Sequence, residues 1–288
     1  MKRLSSSLLL LCVLVPASRV GAAPIADHTS VDASAIPDPA VAAAANLRVA
    51  LRRASVGGNI SDGLDALHAA NARYDRSRWI FYDRGNPGWK AKVDEFVSFV
   101  ASNSSSFDVL SMKFCFIDPN ASFTYYRDAL LGLESTYPTK TFVWWTIPLE
   151  SSGNTARRSF NDQVRAYAAA NDKLLFDIAD IESHDAAGNH VVDGSGTELL
   201  AGDWDSGDGG HLSSAGGQRV ASAWWWLMAR IAGWDPAGPQ TLSVDDATLD
   251  EGDSGTNVLT MHVSLQAAAA SGSATQVGPG SDGTLPLP

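Results

Sequence analysis

The sequence has little cysteine and no long apolar run. Of its two cysteines, Cys12 falls in an N-terminal stretch with the pattern of a secretory signal, which leaves Cys115 alone. An internal disulfide in the mature chain is therefore excluded, and a hydrophobic core has to hold the fold. No segment reaches the ~20 consecutive apolar residues that a membrane-spanning helix needs, so we expect no membrane span.

Residues 1–22 have the three parts of a signal peptide. Lys2 and Arg3 precede an apolar run from Leu8 to Val15, and small residues follow around Ala22. This pattern predicts removal of residues 1–22 and a secreted product, extracellular or periplasmic.

Basic residues are also scarce. The chain has 21 Lys and Arg against 32 Asp and Glu, and without Lys2, Arg3 and Arg19 the balance is 18 against 32, a net charge of −14. Because phosphate contacts need a basic face, nucleic-acid binding is excluded. We expect no cofactor.

From Leu47 onward, strand-like and helix-like segments alternate. Such alternation implies right-handed crossovers and a parallel sheet covered on both faces. We predict an α/β protein, a three-layer α/β/α sandwich with a central parallel sheet of about five strands, in which sites form beyond the carboxyl ends of the strands. The predicted organisation is a signal peptide at 1–22, a linker at 23–45, the α/β domain at 46–235, a linker at 236–240, two strands within 241–266 and a disordered tail at 267–288.

The segment 241–266 resembles the opening strands of a Calx-β domain, through "VDDATLDEGDSGTNVLTMHVSL". The remainder of such a domain is missing. Two strands alone are at best marginally stable, and we assign no calcium ligands to this fragment.

Ser55 is the first candidate for chemistry. It follows a predicted strand and precedes two glycines and a helix predicted over 61–74. A serine on a strand-to-helix turn can expose its hydroxyl at the sheet's carboxyl edge, although it can equally be an ordinary turn residue.

Asp208 and His211 form the second candidate. An aspartate three residues before a histidine can accept a hydrogen bond from one imidazole nitrogen, and the other nitrogen is then free to take a proton from a serine. The alternative is an aspartate in a turn beside an exposed histidine.

Two acidic clusters have rival interpretations. Asp203, Asp205 and Asp208 suggest a calcium loop, but the required pattern fails at positions 5, 6 and 12, so we expect no metal there. The stretch 177–184 holds Asp177, Asp180, Glu182 and His184, which could serve acid–base chemistry but which more often cap backbone donors.

The order of six segments resembles the SGNH/GDSL hydrolase superfamily over most of residues 47–232. The segments are "ASVGGNISDGL", "RGNPGWKAKVDEF", "DVLSMKFCFID", "FVWWTIPL", "NDQVRAYAAANDKLLFDIADIES" and "DGGHLSSAGGQRVA". The resemblance implies the flavodoxin-like SGNH fold, with Ser55 as nucleophile, His211 as base and Asp208 behind it. It also implies an oxyanion hole that includes Gly88 or Gly85, with Asn86 beside them.

Two departures from the superfamily pattern concern the oxyanion hole and the nucleophile. The usual Gly-Asp before the serine is Arg53-Ala54 here, and Ile117 stands where the third block has its asparagine. Asp118 matches the last residue of that block, and Asn120 or Lys113 could replace the asparagine only if the loop brings them close.

These residues together predict a secreted serine esterase that acts on a small-molecule or polysaccharide ester. O-acetyl groups on polysaccharide are the first candidate substrate and short-chain acyl esters the second. The rival hypotheses are a catalytically weakened or inactive carbohydrate-binding or adhesive module on the same scaffold, and a calcium-dependent structural protein.

Overall fold

The computed structural model describes residues 23–236 together with the backbone of two further strands, 241–244 and 263–266. The predicted signal peptide and the predicted tail lie outside the described residues.

The core of the fold is a parallel six-stranded sheet. Its strands are β1 (Ile25–Ala26), β2 (Val49–Arg53), β3 (Trp79–Asp83), β4 (Val109–Met112), β5 (Thr141–Trp145) and β6 (Leu175–Phe176), in the order β1-β6-β5-β4-β2-β3. Val49 pairs with Trp79 on one side and with Val109 on the other. Apart from β1, this is the flavodoxin-like strand order, which confirms the predicted fold class.

Seven helices accompany the sheet in the described part of the chain. They are α1 (Asp38–Ala45), α2 (Val56–Ala70), α3 (Trp89–Asn103), α4 (Phe123–Thr136), α5 (Thr155–Ala170), α6 (Ile178–Ser183) and α7 (Ser214–Ile231). None of them is both long and apolar enough to cross a bilayer.

Alternate residues of the central strands face two separate apolar cores. Val49 and Leu51 pack with α1, α2, α6 and α7, whereas Ala50 packs with α3, α4 and α5. Because side chains alternate across a strand, each buried strand supplies both cores. The result is the predicted three-layer arrangement.

The segment 23–45, predicted to be a linker, is folded onto the domain, and that prediction needs correction. It contributes β1, two 3-10 helices and α1, and Ile36 and Val41 are each only 1% exposed. Arg73 donates to the carbonyls of Ala33 and Ile36. The small residues of this segment give it little periodicity, so its sequence pattern does not reveal these buried contacts. Strand β1 also raises the number of strands in the sheet from about five to six.

Beyond the α/β domain, β7 (Thr241–Val244) and β8 (Val263–Gln266) pair antiparallel. The resemblance of this segment to a Calx-β domain stays a prediction.

Candidate active site

Ser55 lies on a strained turn at the carboxyl edge of the sheet. Strand β2 ends at Arg53 and α2 begins at Val56, five residues earlier than the sequence predicts. Ser55 has φ 54° and ψ −123°, and its side chain does not cap the helix. A non-glycine residue in this region is strained, so the turn holds the hydroxyl outward at a conformational cost.

The loop that carries Asp208 and His211 is fixed by backbone hydrogen bonds. Ser206 N donates to His211 O at 2.9 Å, and Ser151 N donates to Gly209 O at 2.9 Å. Gly209 has φ +84°, a conformation that L side chains rarely adopt. A turn this tight therefore needs glycine at that position.

The structure brings Ser55, His211 and Asp208 into one hydrogen-bonded chain. Ser55 Oγ lies 2.7 Å from His211 Nε2, and His211 Nδ1 lies 2.6 Å from Asp208 Oδ2. Asp208 Oδ1 also accepts the backbone N–H of His211 at 2.8 Å and that of Gly210 at 3.1 Å. With Nδ1–H held by the carboxylate, Nε2 is the imidazole atom that can take a proton from Ser55.

Hydrogen bonds also set the charge of Asp208. The His211 backbone N–H, the His211 imidazole and the Gly210 N–H hold the pKa of the Asp208 carboxyl well below its usual range. Asp208 therefore stays ionised at any pH at which an imidazole can act as a base.

Close packing of α2 against α7 fixes the distance between the serine and the histidine. Ser55 directly precedes α2 and His211 lies three residues before α7. A side chain on Gly63 would collide with the backbone of Gly217, and one on Gly217 would lie 2.6 Å from Asn59 O. The two backbones thus touch, because glycines line their contact.

Two residues that contact the His211 loop, Phe116 and Asn59, are not indicated by the sequence motifs. The ring of Phe116 meets that of His211 edge-on, with centroids 5.2 Å apart. Asn59 Oδ1 accepts from Leu212 N at 3.2 Å, which ties the histidine loop to α2. Gly210 is the sequence feature that could have indicated a close neighbour here, because a Cβ at this position would lie 2.8 Å from the Phe116 ring.

The predicted oxyanion residues lie in the loop after β3. Gly85 N donates to Asp83 Oδ1 at 2.8 Å, so this N–H is already engaged. Gly88 precedes α3 as its N-cap residue, and the exposed Asn86 lies between them. Of the two glycines, Gly88 is therefore the better candidate donor.

The buried polar residues of the third-block region are held by other partners. Asp118 is buried in an ion pair with Lys92 and accepts from Cys115 N at 2.9 Å. Lys113 is fully buried, and its Nζ donates to Phe114 O at 2.8 Å. Asn120 is exposed, and Ile117 is 53% exposed. Asp118 and Lys113 are thus engaged by other partners.

Arg53, which replaces the usual glycine before the nucleophile, lies along the first turn of α2. A Cβ on Gly57 would lie 2.6 Å from Arg53 Cβ, and one on Gly58 would lie 3.4 Å from its Nη1. The two glycines make room for this cation beside the nucleophile turn.

The carboxylates of the acidic loop serve backbone donors. Asp205 Oδ1 accepts from Gly207 N and Gly209 N, and Asp203 Oδ2 accepts from Ala186 N. These contacts fit turn-stabilising carboxylates better than a calcium loop.

The acidic stretch after β6 divides into separate roles. Asp177 N-caps α6 and pairs with Arg165, and Glu182 Oε2 accepts from Leu149 N at 2.7 Å. Burial raises the pKa of Glu182 to about 8. Asp180 instead contacts His28 and His184.

Comparisons with known proteins were made at three levels. No family model matches the chain, and no curated protein matches it. It is similar to a solved structure assigned to the G-D-S-L lipolytic family from Desulfitobacterium hafniense DCB-2, at 10% identity and a TM-score of 0.42 over 62% of this chain and 99% of that one. It is also similar to an acetyl xylan esterase, AlAXEase, at 12% identity and a TM-score of 0.45 over 62% of this chain and 97% of that one. Likeness at this level does not place the chain in a family.

Proposed function

We propose that the protein is a serine esterase of the SGNH type. The observation that supports this most strongly is the hydrogen-bonded chain from Ser55 Oγ through His211 to Asp208, with 2.7 and 2.6 Å contacts. A strained turn holds the serine at the edge of a parallel sheet, where sites form in such folds.

In the proposed reaction, His211 Nε2 takes the proton of Ser55 Oγ as the oxygen attacks the ester carbonyl. The tetrahedral oxyanion accepts hydrogen bonds from the N–H groups of Ser55 and Gly88, with Asn86 beside them. His211 then gives its proton to the departing alcohol, which leaves an acyl group on Ser55. Water attacks that acyl group by the same steps in reverse and releases the acid.

The proposed substrate is a carboxylic ester, with O-acetyl groups on polysaccharide as the first candidate and short-chain acyl esters as the second. The side chains of His211 and Asp208 are 36% and 54% exposed, so the base and its partner lie at the surface. An exposed triad can reach an ester on a polymer, whereas a small free ester gains binding energy from an enclosed pocket. The predicted export of the chain agrees with an extracellular polymer.

The experiment is active-site labelling of the full chain with a fluorophosphonate probe, followed by assays on acetylated xylan and p-nitrophenyl acetate. We expect wild-type protein to be labelled and to release acetate, and Ser55→Ala to do neither. If wild type takes no label, or if Ser55→Ala is labelled equally, the proposed nucleophile is wrong. An unlabelled protein that still binds polysaccharide would support the carbohydrate-binding alternative.

A further inference from the structure

On the side of the fold where α6 lies, two distant parts of the chain bring three metal-ligating side chains together. Asp180 and His184 belong to α6 and its C-terminal end, and His28 arrives from the N-terminal segment. One ligand atom from each of the three residues lies within 4.8 Å of the others. No part of the proposed esterase mechanism uses this cluster.

We propose that His28, Asp180 and His184 form a zinc site. A zinc ion at about 2.0–2.2 Å from each ligand in a tetrahedral arrangement holds its ligands about 3.3–3.6 Å apart. Asp180 Oδ1 and His184 Nδ1 are 3.7 Å apart, but His184 Nδ1 also lies 2.8 Å from the Asp180 carbonyl oxygen, a contact that zinc binding at Nδ1 has to break. His28 Nδ1 and Asp180 Oδ2 are 2.6 Å apart, so this pair has to open by about 1 Å to hold the ion.

Of the two imidazoles, that of His28 has the freedom that this rearrangement needs. Their rings are stacked, with centroids 3.5 Å apart and planes at 11°, so one ring has to tilt before both nitrogens can point at one ion. His184 is enclosed, with 9% of its side chain exposed, whereas His28 is 34% exposed. His28 is consequently the ligand that moves, and its open side is the path of entry.

The donor set selects the kind of ion. Two imidazole nitrogens and one carboxylate oxygen suit zinc and its neighbours among the transition metals. Calcium and magnesium prefer sets made of oxygen alone.

Further side chains support the ligands from outside. The ring of His190 stacks on that of His184, with centroids 4.6 Å apart, and its Nε2 lies 3.6 Å from Glu198 Oε1. The carbonyl of His184 accepts from Trp204 Nε1 at 2.6 Å. Through Trp204 the cluster joins the start of the loop that carries Asp208 and His211. An ion here would tie the N-terminal segment to that loop.

The test is a titration of chelator-treated full-length protein with Zn²⁺ in competition with a chromophoric zinc chelator. We expect one tightly bound equivalent, and at least ~100-fold weaker binding in His28→Ala and in His184→Ala, because even residues that only support a ligand contribute 10–100-fold. His68→Ala is the matched control, since His68 is exposed on α2. His211→Ala removes any competing site at the catalytic pair, and it should keep the tight equivalent.

X-ray absorption on the zinc-loaded wild type covers the case in which His184→Ala does not fold. Two imidazole nitrogens and at least one carboxylate oxygen around the ion support the proposal. The proposal is overturned if wild type binds no zinc, if both cluster variants bind it as well as wild type does, or if the spectrum shows fewer than two imidazoles. The readout is independent of esterase activity, so this proposal and the proposed function can fail separately.

Discussion

Two aspartate–histidine pairs in this molecule have the same contact and different surroundings. In each of them Nδ1 of the histidine lies 2.6 Å from Oδ2 of the aspartate, in Asp208–His211 and in Asp180–His28. The imidazole of the first pair faces a serine hydroxyl, whereas that of the second is stacked on another imidazole. The third group, and not the pair itself, therefore decides between proton transfer and ion binding.

Removal of the His211 imidazole or of the Ser55 hydroxyl should have the largest effect. Under the proposed function, His211→Ala and Ser55→Ala should each lower kcat by on the order of 10⁶, because a serine nucleophile and its histidine base act as one unit. Steady-state kinetics on p-nitrophenyl acetate measures the loss, with His68→Ala as the control. The double variant should lose no more than either single one; a loss equal to the product of the two would contradict a shared role.

Asp208→Asn should cost less, on the order of 10⁴ in kcat. The amide oxygen can still accept from the N–H groups of Gly210 and His211, but the amide nitrogen donates toward Nδ1 and imposes the wrong tautomer. Asp205→Asn is the matched control, because Asp205 accepts only backbone N–H groups in the same loop. Equal kcat losses in both variants would mean that Asp208 acts through loop structure alone.

Asp180 of the second pair lies on α6, and this helix also carries the buried Glu182. The Glu182 carboxyl gives a prediction about how stability depends on pH. Burial raises the pKa of Glu182 to about 8, so the folded protein binds a proton that the unfolded chain releases near pH 4.5. The free energy of unfolding should then fall as pH rises through this window, by on the order of 1 kcal/mol for each pH unit.

Glu182→Gln keeps an acceptor for Leu149 N and removes this proton. Urea unfolding between pH 5 and 7.5 should show wild type losing stability relative to Glu182→Gln as pH rises. This range lies below the pKa of about 8 that burial gives Lys113, whose contribution has the opposite sign above it. Parallel pH curves for the two proteins would show that Glu182 is ionised throughout.

The smallest predicted effect concerns the backbone strain at Ser55. Ser55→Gly should be more stable to unfolding than Ser55→Ala by about 1–3 kcal/mol, because glycine adopts φ 54° without cost and alanine does not. Both variants lack the hydroxyl, so their difference in urea unfolding isolates the backbone strain. Equal stability would show that the turn is relaxed.

The sequence predicts the sheet and the Asp208–His211 pair because both depend on local signals. Ser55 is predicted only through the order of segments in the resemblance, since its contact with His211 spans 156 positions. Alternating strand and helix patterns specify the layers, and the spacing of Asp208 and His211 puts the carboxylate within reach of the imidazole. Three other features depend on contacts between distant residues, which periodicity does not encode. His28 meets Asp180 across 152 positions, residues 23–45 pack through small side chains, and the direction of Lys113 depends on how its loop folds.

The contact between α2 and α7 at Gly63 and Gly217 has a consequence for how activity is lost. Because Ser55 precedes one of these helices and His211 precedes the other, their distance is a property of tertiary packing rather than of either loop. A compact state with intact helices but loosened side-chain packing would separate Ser55 from His211 before its secondary structure melts. Esterase turnover would then report the native packing of the core more sensitively than circular dichroism does.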